Sequence, residues 1–376
     1  MTHRIMICFG TRPEAIKMMP VIRALRARPG FAPIVCVTDQ HQTMLAQVFE
    51  GFDETADISL AVMQPGQDLG GLTARVLQRV GDAIARERPD MLLVHGDTTT
   101  AFAAALAGFY HRVPIGHVEA GLRSFDLDRP WPEEFNRVAV DSIAALMFAP
   151  TATAAANLAR EYNRRGQVVM TGNTGIDCLL HVSGRIGADP ALREAIAARY
   201  GFLDASRRLV LVTGHRRESF GEGFRRICDG LAGVVGRGDV QLVYPVHLNP
   251  NVQAVVTERL AGVPGIHLIP PVAYADMVFL MQRAALIITD SGGLQEEGPA
   301  LGKPVLVMRD VTERPEAVAT GVVRLIGTDP ALMRAEVNAL LDDAAEYARR
   351  AVAVFPYGDG QAAERIADAM AAYLSG

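Results

Sequence analysis

Lysine is almost missing from this 376-residue chain: Lys17 and Lys303 stand against 35 arginines. With 42 acidic residues the net charge is −5, so no general basic field draws nucleic acid or anionic lipid, and a phosphorylated ligand needs a local cationic pocket. Cysteine is also scarce. Cys8, Cys36, Cys178 and Cys228 show no CxxC spacing, the composition excludes a disulfide scaffold, and Cys8 and Cys36, inside apolar runs, are expected as buried reduced thiols. Long apolar runs are lacking as well. The longest nearly uncharged stretch, Val138 to Ala159, holds Asp141, Ser142, Pro150, Thr151, Thr153 and Asn157, and reads as helix, strand and helix rather than a membrane span. At the N-terminus, Ile5–Phe9 gives way at once to Gly10-Thr11-Arg12, too short for a signal peptide, so a reducing cytoplasm is the expected compartment. With 49% apolar and 21% charged residues the chain is not disordered, and its length suits two domains.

Short β-branched runs alternate with helical patterns throughout. The first set of strands is expected at Arg4–Phe9, Ile34–Thr38, Met91–His95, Ile115–Val118, Leu146–Ala149 and Val168–Thr171. A second set is expected at Leu209–Thr213, Gln241–Pro245, Ile266–Ile269, Leu286–Thr289, Val305–Val307 and Val323–Leu325. Apolar residues return at helical spacing in segments such as Thr98–Tyr110 and Leu332–Leu341. Continuously apolar strands imply parallel sheets covered on both faces, hence two doubly wound α/β domains. The break between them is expected between Gly172 and Arg208.

Such sheets collect ligands at the carboxyl ends of their strands, and two such edges facing each other make a cleft. Polar residues and glycines cluster at those ends: Gly10 to Lys17, Asp39-Gln40-His41, His95-Gly96-Asp97, His117-Val118-Glu119, Gly214 to Glu218, His247-Leu248-Asn249 and Asp290-Ser291-Gly292-Gly293. Neither the Gly10 turn nor Gly221-Glu222-Gly223 completes GxGxxG. Gly298 to Pro304 is one residue short of a P-loop, has Pro304 where Ser or Thr belongs, and precedes a strand, so Lys303 reads as a loop residue near the cleft. NAD and ATP are not indicated. Asp290 to Gly293 is a better anion site, because small residues opening a helix present bare N–H groups; an ordinary cap by Asp290 or Ser291 is the competing reading. Glu297, one turn further on, suits the two hydroxyls of a ribose or a solvated helix face. Arg12 and Lys17 at a helix start oppose the dipole unless an anion compensates them, and Arg314 is a similar loop cation.

The acids carry more information. His95/Asp97 and His117/Glu119 are both spaced i, i+2, so on adjacent strand ends two imidazoles and two carboxylates share a face. A metal site competes with proton chemistry here, but no HExxH-type spacing supports it. Asp97 also suits a helix cap before Thr98. Glu119 ends an apolar strand and is either paired with Arg123 or engaged in proton transfer. Pro130-Trp131-Pro132-Glu133-Glu134 adds two acids at a helix start.

These blocks, from Gly10-Thr11-Arg12-Pro13-Glu14-Ala15-Ile16-Lys17 through Arg309 to Glu316, follow one another along the whole chain as far as Pro356 to Gly360. Together they resemble the bacterial non-hydrolysing UDP-N-acetylglucosamine 2-epimerases. The resemblance implies the glycosyltransferase-B architecture, with two Rossmann-like domains at 1–172 and 173–357 and a last helix, about 358–376, crossing back onto the first. It implies interconversion of UDP-N-acetylglucosamine and UDP-N-acetylmannosamine without NAD or a required metal, by elimination of UDP to a 2-acetamidoglucal and re-addition. A homodimer and a role in cell-envelope polysaccharide synthesis are further implications.

By the same resemblance Asp97, Glu119 and Glu133 are catalytic carboxylates and His215 a histidine near the diphosphate. Arg12, Lys17 and Arg314 bind substrate. Ser291, Gly292 and Gly293 cradle the diphosphate, and Glu297 takes the ribose. Val272 and Met277 stand where some members have Gln and Phe around uracil. The alternatives are the same chemistry on a related nucleotide sugar such as a 2,3-diacetamido uronic acid, a hydrolysing relative, a glycosyltransferase of this fold and a catalytically inactive nucleotide-sugar sensor.

Overall fold

The computed structural model describes residues 2–38, 42–64, 66–161 and 165–376, and for 42–44, 47 and 217 the backbone alone. Asp39, Gln40 and His41, named above as a strand end, lie outside the described residues. The chain divides into two compact units, Met1–Cys178 with Tyr357–Gly376, and Leu179–Pro356.

In the first unit the strands are β1 (His3–Phe9), β2 (Phe31–Val37), β3 (Ile58–Ser59), β4 (Met91–His95), β5 (Ile115–Val118), β6 (Leu146–Ala149) and β7 (Gln167–Met170). Between them run α1 (Arg12–Ala27), α2 (Gln42–Phe52), α3 (Leu69–Glu87), α4 (Thr99–Tyr110), α5 (Glu133–Ile143) and α6 (Ala152–Ala159), and α7 (Thr174–Ala188) follows. All strands pair in parallel in the order β3-β2-β1-β4-β5-β6-β7. The six expected strands are present; β3, only two residues long, was not among them. Ile5 to Phe9 is wholly buried because helices cover both faces of the sheet. The stretch from Val138 to Ala159 forms the end of α5, then β6 and α6. Among the described residues no helix is long and apolar enough to cross a membrane.

The second unit repeats the plan with β8 (Arg208–Thr213), β9 (Val240–Pro245), β10 (Ile266–Ile269), β11 (Leu286–Thr289), β12 (Val305–Val307) and β13 (Val323–Leu325). Its helices are α8 (Pro190–Ala198), α9 (Glu222–Val235), α10 (Pro250–Leu260), α11 (Tyr274–Arg283), α12 (Gly292–Ala300), α13 (Pro315–Ala319), α14 (Pro330–Asp342) and α15 (Ala344–Arg350). The parallel order is β10-β9-β8-β11-β12-β13. Helix α16 (Ala362–Ser375) belongs to the first unit and packs on α1, with Arg28 reaching Asp368 at 2.7 Å and Glu364 at 3.3 Å. The fold is therefore α/β with two doubly wound parallel sheets.

Each sheet reverses its winding once, between β1 and β4 and between β8 and β11. Loops that leave neighbouring strands in opposite directions open a crevice at that point, which is where doubly wound sheets bind ligands. Lys303 lies away from it. It precedes β12, at the amino edge of the sheet, and donates to the Gln282 carbonyl at 2.8 Å, so it is not a residue of the ligand edge.

Candidate active site

In the first unit the switch point gathers the loops after β1, β4 and β5. The β1 loop is latched by Glu14, which is buried in the first turn of α1. Its Oε2 accepts from the backbone of Thr11 at 2.8 Å and Gly10 at 3.1 Å, and Oε1 accepts from Thr98 Oγ1 at 2.7 Å. Burial pushes this carboxyl up, against the hydrogen bonds that pull it down. The latch sets the direction of α1 and with it Arg12, half-buried and lowered in pKa by burial, and Lys17 one turn on.

Lys17 forms an ion pair with Glu119 Oε2, which also accepts from Asn173 Nδ2 at 3.0 Å. The stem of Lys17 runs over Gly175, where a Cβ would stand 3.5 Å from its Cε. Glu119 closes β5 with φ 67°, a left-handed conformation that costs a non-glycine residue on the order of 1–3 kcal/mol. Strain of this kind persists where the surroundings fix the side chain, as Lys17 and Asn173 do. His95 Nε2 lies 3.7 Å from Glu119 Oε2. Neither nitrogen of its buried ring has a hydrogen-bond partner among the described residues, and burial holds its pKa down at about 3, so the imidazole is neutral.

Glu119 is thus bound to Lys17; Arg123 pairs instead with Asp141 and Glu161, at 2.6 Å each. Asp97 is not the cap of α4, because Thr98 holds that position and accepts from Ala101 N at 3.0 Å. The Asp97 carboxylate is paired with Arg137, and its carbonyl accepts from Asn136 Nδ2 at 2.9 Å. His117 turns away from the acids toward Asp141 and the Gly96 carbonyl. Of the two acids opening α5, Glu134 is buried and structural, bonded to the backbone of Ser124 and Phe125 and to Arg137. Glu133 is half-buried, and its carboxylate makes no hydrogen bond or ion pair among the described residues. The same residues contain no cluster of three metal-ligating side chains.

In the second unit the loops after β8 and β11 meet at Asp290. Its buried carboxylate accepts from the backbone N–H of His215 at 2.7 Å and Arg216 at 2.8 Å, and Oδ1 lies 3.2 Å from His215 Nδ1. Burial raises this carboxyl, but the His215 ring and the two N–H groups outweigh it and leave it below its ordinary value. Asp290 is thereby committed to the β8 loop, and Ser291, at the cap of α12, makes no side-chain cap bond. The first turn of α12 is left without a side-chain cap, as an anion site requires.

Two guanidinium groups overhang that turn. A Cβ on Gly292 would stand 3.4 Å from Arg314 Nη2 and 3.7 Å from Arg216 Nη2. Arg314 Nε donates to Glu296 at 2.6 Å and Arg216 Nη2 to Glu313 at 3.3 Å. Burial raises Glu313, but Arg314, Arg309 and Arg216 bring it down to about 2, so it balances these cations as a carboxylate. Glu297, one turn along α12, accepts from Tyr274 Oη at 2.8 Å. Tyr274 opens α11 between Val272 and Met277, both half-buried. The His215 ring stacks on His247, with centroids 5.2 Å apart.

The sequence profile described as UDP-N-acetylglucosamine 2-epimerase matches residues 23–371. The chain belongs to the UDP-N-acetylglucosamine 2-epimerase family. This is a family of isomerases. The UDP-N-acetylglucosamine 2-epimerase of Escherichia coli (strain K12) is 52% identical over 368 residues, covering 98% of each chain. The crystal structure of the Neisseria meningitidis epimerase bound to UDP-GlcNAc has a TM-score of 0.94 at 40% identity, covering 98% of this chain and all of that one. S. aureus MnaA, solved with UDP, has a TM-score of 0.90 at 42% identity, covering 100% of this chain and 97% of that chain.

In this member of the 2-epimerase family, sequence reading missed Asn173, Tyr274, Arg137 and the pairing role of Asp141. Asn173 lies in the loop after β7, three residues past its end, within the stretch where the break between the domains is expected. The Tyr274 hydroxyl is bonded to a carboxylate 23 residues away, and no spacing announces that contact.

Proposed function

We propose that the protein interconverts UDP-N-acetylglucosamine and UDP-N-acetylmannosamine by inverting C2 of the sugar. The observation that carries this reading is the Lys17–Glu119–Asn173 cluster at the switch point of the first sheet, in a chain of this family. A carboxylate held by two donors, beside a neutral imidazole, is a group built for proton transfer.

The C2 hydrogen has no adjacent carbonyl to acidify it, so removing it alone is too costly. Elimination avoids the free carbanion. One carboxylate takes the C2 proton, the C1–C2 double bond forms, and the C1–O bond breaks with its electrons leaving on UDP. Re-addition returns a proton to the opposite face of C2 and UDP to C1. Asp97, Glu119 and Glu133 are the acid–base candidates, with Arg12 and Lys17 as cations for the substrate. In the second unit Ser291, Gly292, Gly293, Arg314 and His215 hold the diphosphate, where positive charge stabilises the departing anion. Glu297 takes the ribose, and Val272 and Met277 flank uracil. The reaction uses no redox cofactor and no metal.

We place the enzyme in the cytoplasm as a homodimer that supplies activated N-acetylmannosamine to cell-envelope polysaccharide. Its four cysteines, all free and buried, accord with a reducing compartment. Incubation with UDP-N-acetylglucosamine, followed by NMR, tests the activity. The anomeric signal of UDP-N-acetylmannosamine is expected. Free N-acetylmannosamine identifies a hydrolysing enzyme, and turnover restricted to a diacetamido uronic acid nucleotide identifies a different substrate.

A further inference from the structure

His117 is fully buried, with Nδ1 2.6 Å from Asp141 Oδ1 and Nε2 2.8 Å from the Gly96 carbonyl oxygen. A carbonyl only accepts, so Nε2 carries a proton. The second oxygen of Asp141 accepts from Gly121 N at 3.2 Å and Arg123 Nη2 at 2.6 Å. Burial raises the Asp141 carboxyl, yet His117 and Arg123 outweigh it and leave it lowered, an ionised acceptor. The ring is clamped between a carboxylate and a carbonyl, and among the described residues Arg123 and His95 are its other charged or titratable neighbours.

Each end of the clamp leads to one acid. Gly96 immediately precedes Asp97, and Gly121 lies two residues past Glu119. Gly96, Glu119 and Gly121 have φ of 65°, 67° and 85°, so both loops run through left-handed backbone that needs outside anchors to stay put. A Cβ on Gly121 would meet the Ala154 carbonyl at 2.4 Å, so that turn has no room to shift toward α6. Stability alone does not explain a buried ion pair, since an apolar pair of like volume stabilises a core as well or better.

We propose that His117 and Asp141 form a positioning couple that fixes the loops carrying Asp97 and Glu119 relative to each other. This rests on the reading of those two carboxylates as acid–base groups. The couple touches no substrate; it sets the distance and facing of the groups that do.

Two isosteres separate its ends. The His117→Asn amide reaches as far as Nδ1 and retains the Asp141 contact while releasing Gly96. The His117→Gln amide reaches as far as Nε2 and does the reverse. Turnover is counted per UDP-binding chain, a readout that misfolded protein does not move. Both variants are expected to lose at least about tenfold in kcat. KM and the Kd for UDP should stay within about twofold. Wild-type kcat in either variant overturns the proposal. Should the variants fail to fold, nitrogen-15 NMR of the wild-type ring decides: a ring N–H protected from solvent exchange by the Gly96 carbonyl supports the couple, and one that exchanges freely overturns it. A wild-type protein that does not epimerise at all refutes the proposed function instead, and the ring measurement still judges the couple.

Discussion

The Lys17 ammonium donates to the carboxylate of Glu119, the residue at which β5 ends in a left-handed turn. Asn173 donates to the same oxygen from the loop after β7. A carboxylate pinned by two donors on a strained backbone points in one direction, and that direction is what acid–base catalysis at a carbon centre demands. Glu119→Gln retains the shape and removes the proton acceptor. Its kcat should fall at least about a hundredfold, the lower range for loss of a general acid–base group. UDP binding, measured by calorimetry, should change by less than about threefold. Near-normal turnover would remove Glu119 from the chemistry.

His95 gives a pH dependence of stability. In the folded protein its pKa is lowered from 6.5 to about 3 by burial, so between these values the unfolded chain binds the extra proton. Stability contributed by the neutral ring is complete above the unfolded pKa and is lost as pH falls below it, at up to about 1.4 kcal/mol per pH unit. Urea midpoints of the wild type should therefore drop more steeply below about pH 6.5 than those of His95→Gln, which lacks the titrating ring. Parallel curves would contradict the buried neutral imidazole.

Arg314 links fold and ligand in the second unit. It is buried, paired with Glu296 at 2.6 Å, and stands over Gly292. Arg314→Gln removes the guanidinium partner of the buried Glu296, and the variant should be less stable than the wild type. Affinity for UDP should fall at least about tenfold, with a weaker dependence on salt than in the wild type. Unchanged affinity in the folded variant would place the diphosphate elsewhere.

Tyr274→Phe deletes only the hydroxyl that donates to Glu297 at 2.8 Å. If Glu297 holds the ribose, loss of this one donor should raise KM severalfold, about 1 kcal/mol, with kcat nearly unchanged. An equal fall in kcat would tie the contact to the chemistry.

Most of the architecture was legible because a parallel sheet buried on both faces writes itself as continuous apolar runs such as Ile5–Phe9. Strand β3 escaped because two residues make no pattern. The strand-end rule also brought Lys17, His95 and Glu119 into view, and the structure brings these three together. Their wiring was not legible, because it is made by partners distant in sequence. Asp141 served only to argue against a membrane span, yet it binds His117, 24 residues away, Arg123 and the Gly121 loop. Lys303 looked like a ligand-edge residue by its glycine neighbours, but a lysine before a strand lies at the opposite edge of the sheet from one after it.

The elimination route makes one direct demand: the hydrogen at C2 must leave and be replaced from solvent. With UDP-N-acetylglucosamine in deuterium oxide, the UDP-N-acetylmannosamine formed should carry deuterium at C2, seen as loss of the H2 signal and collapse of its couplings. Product that retains the original hydrogen at C2 would contradict the account.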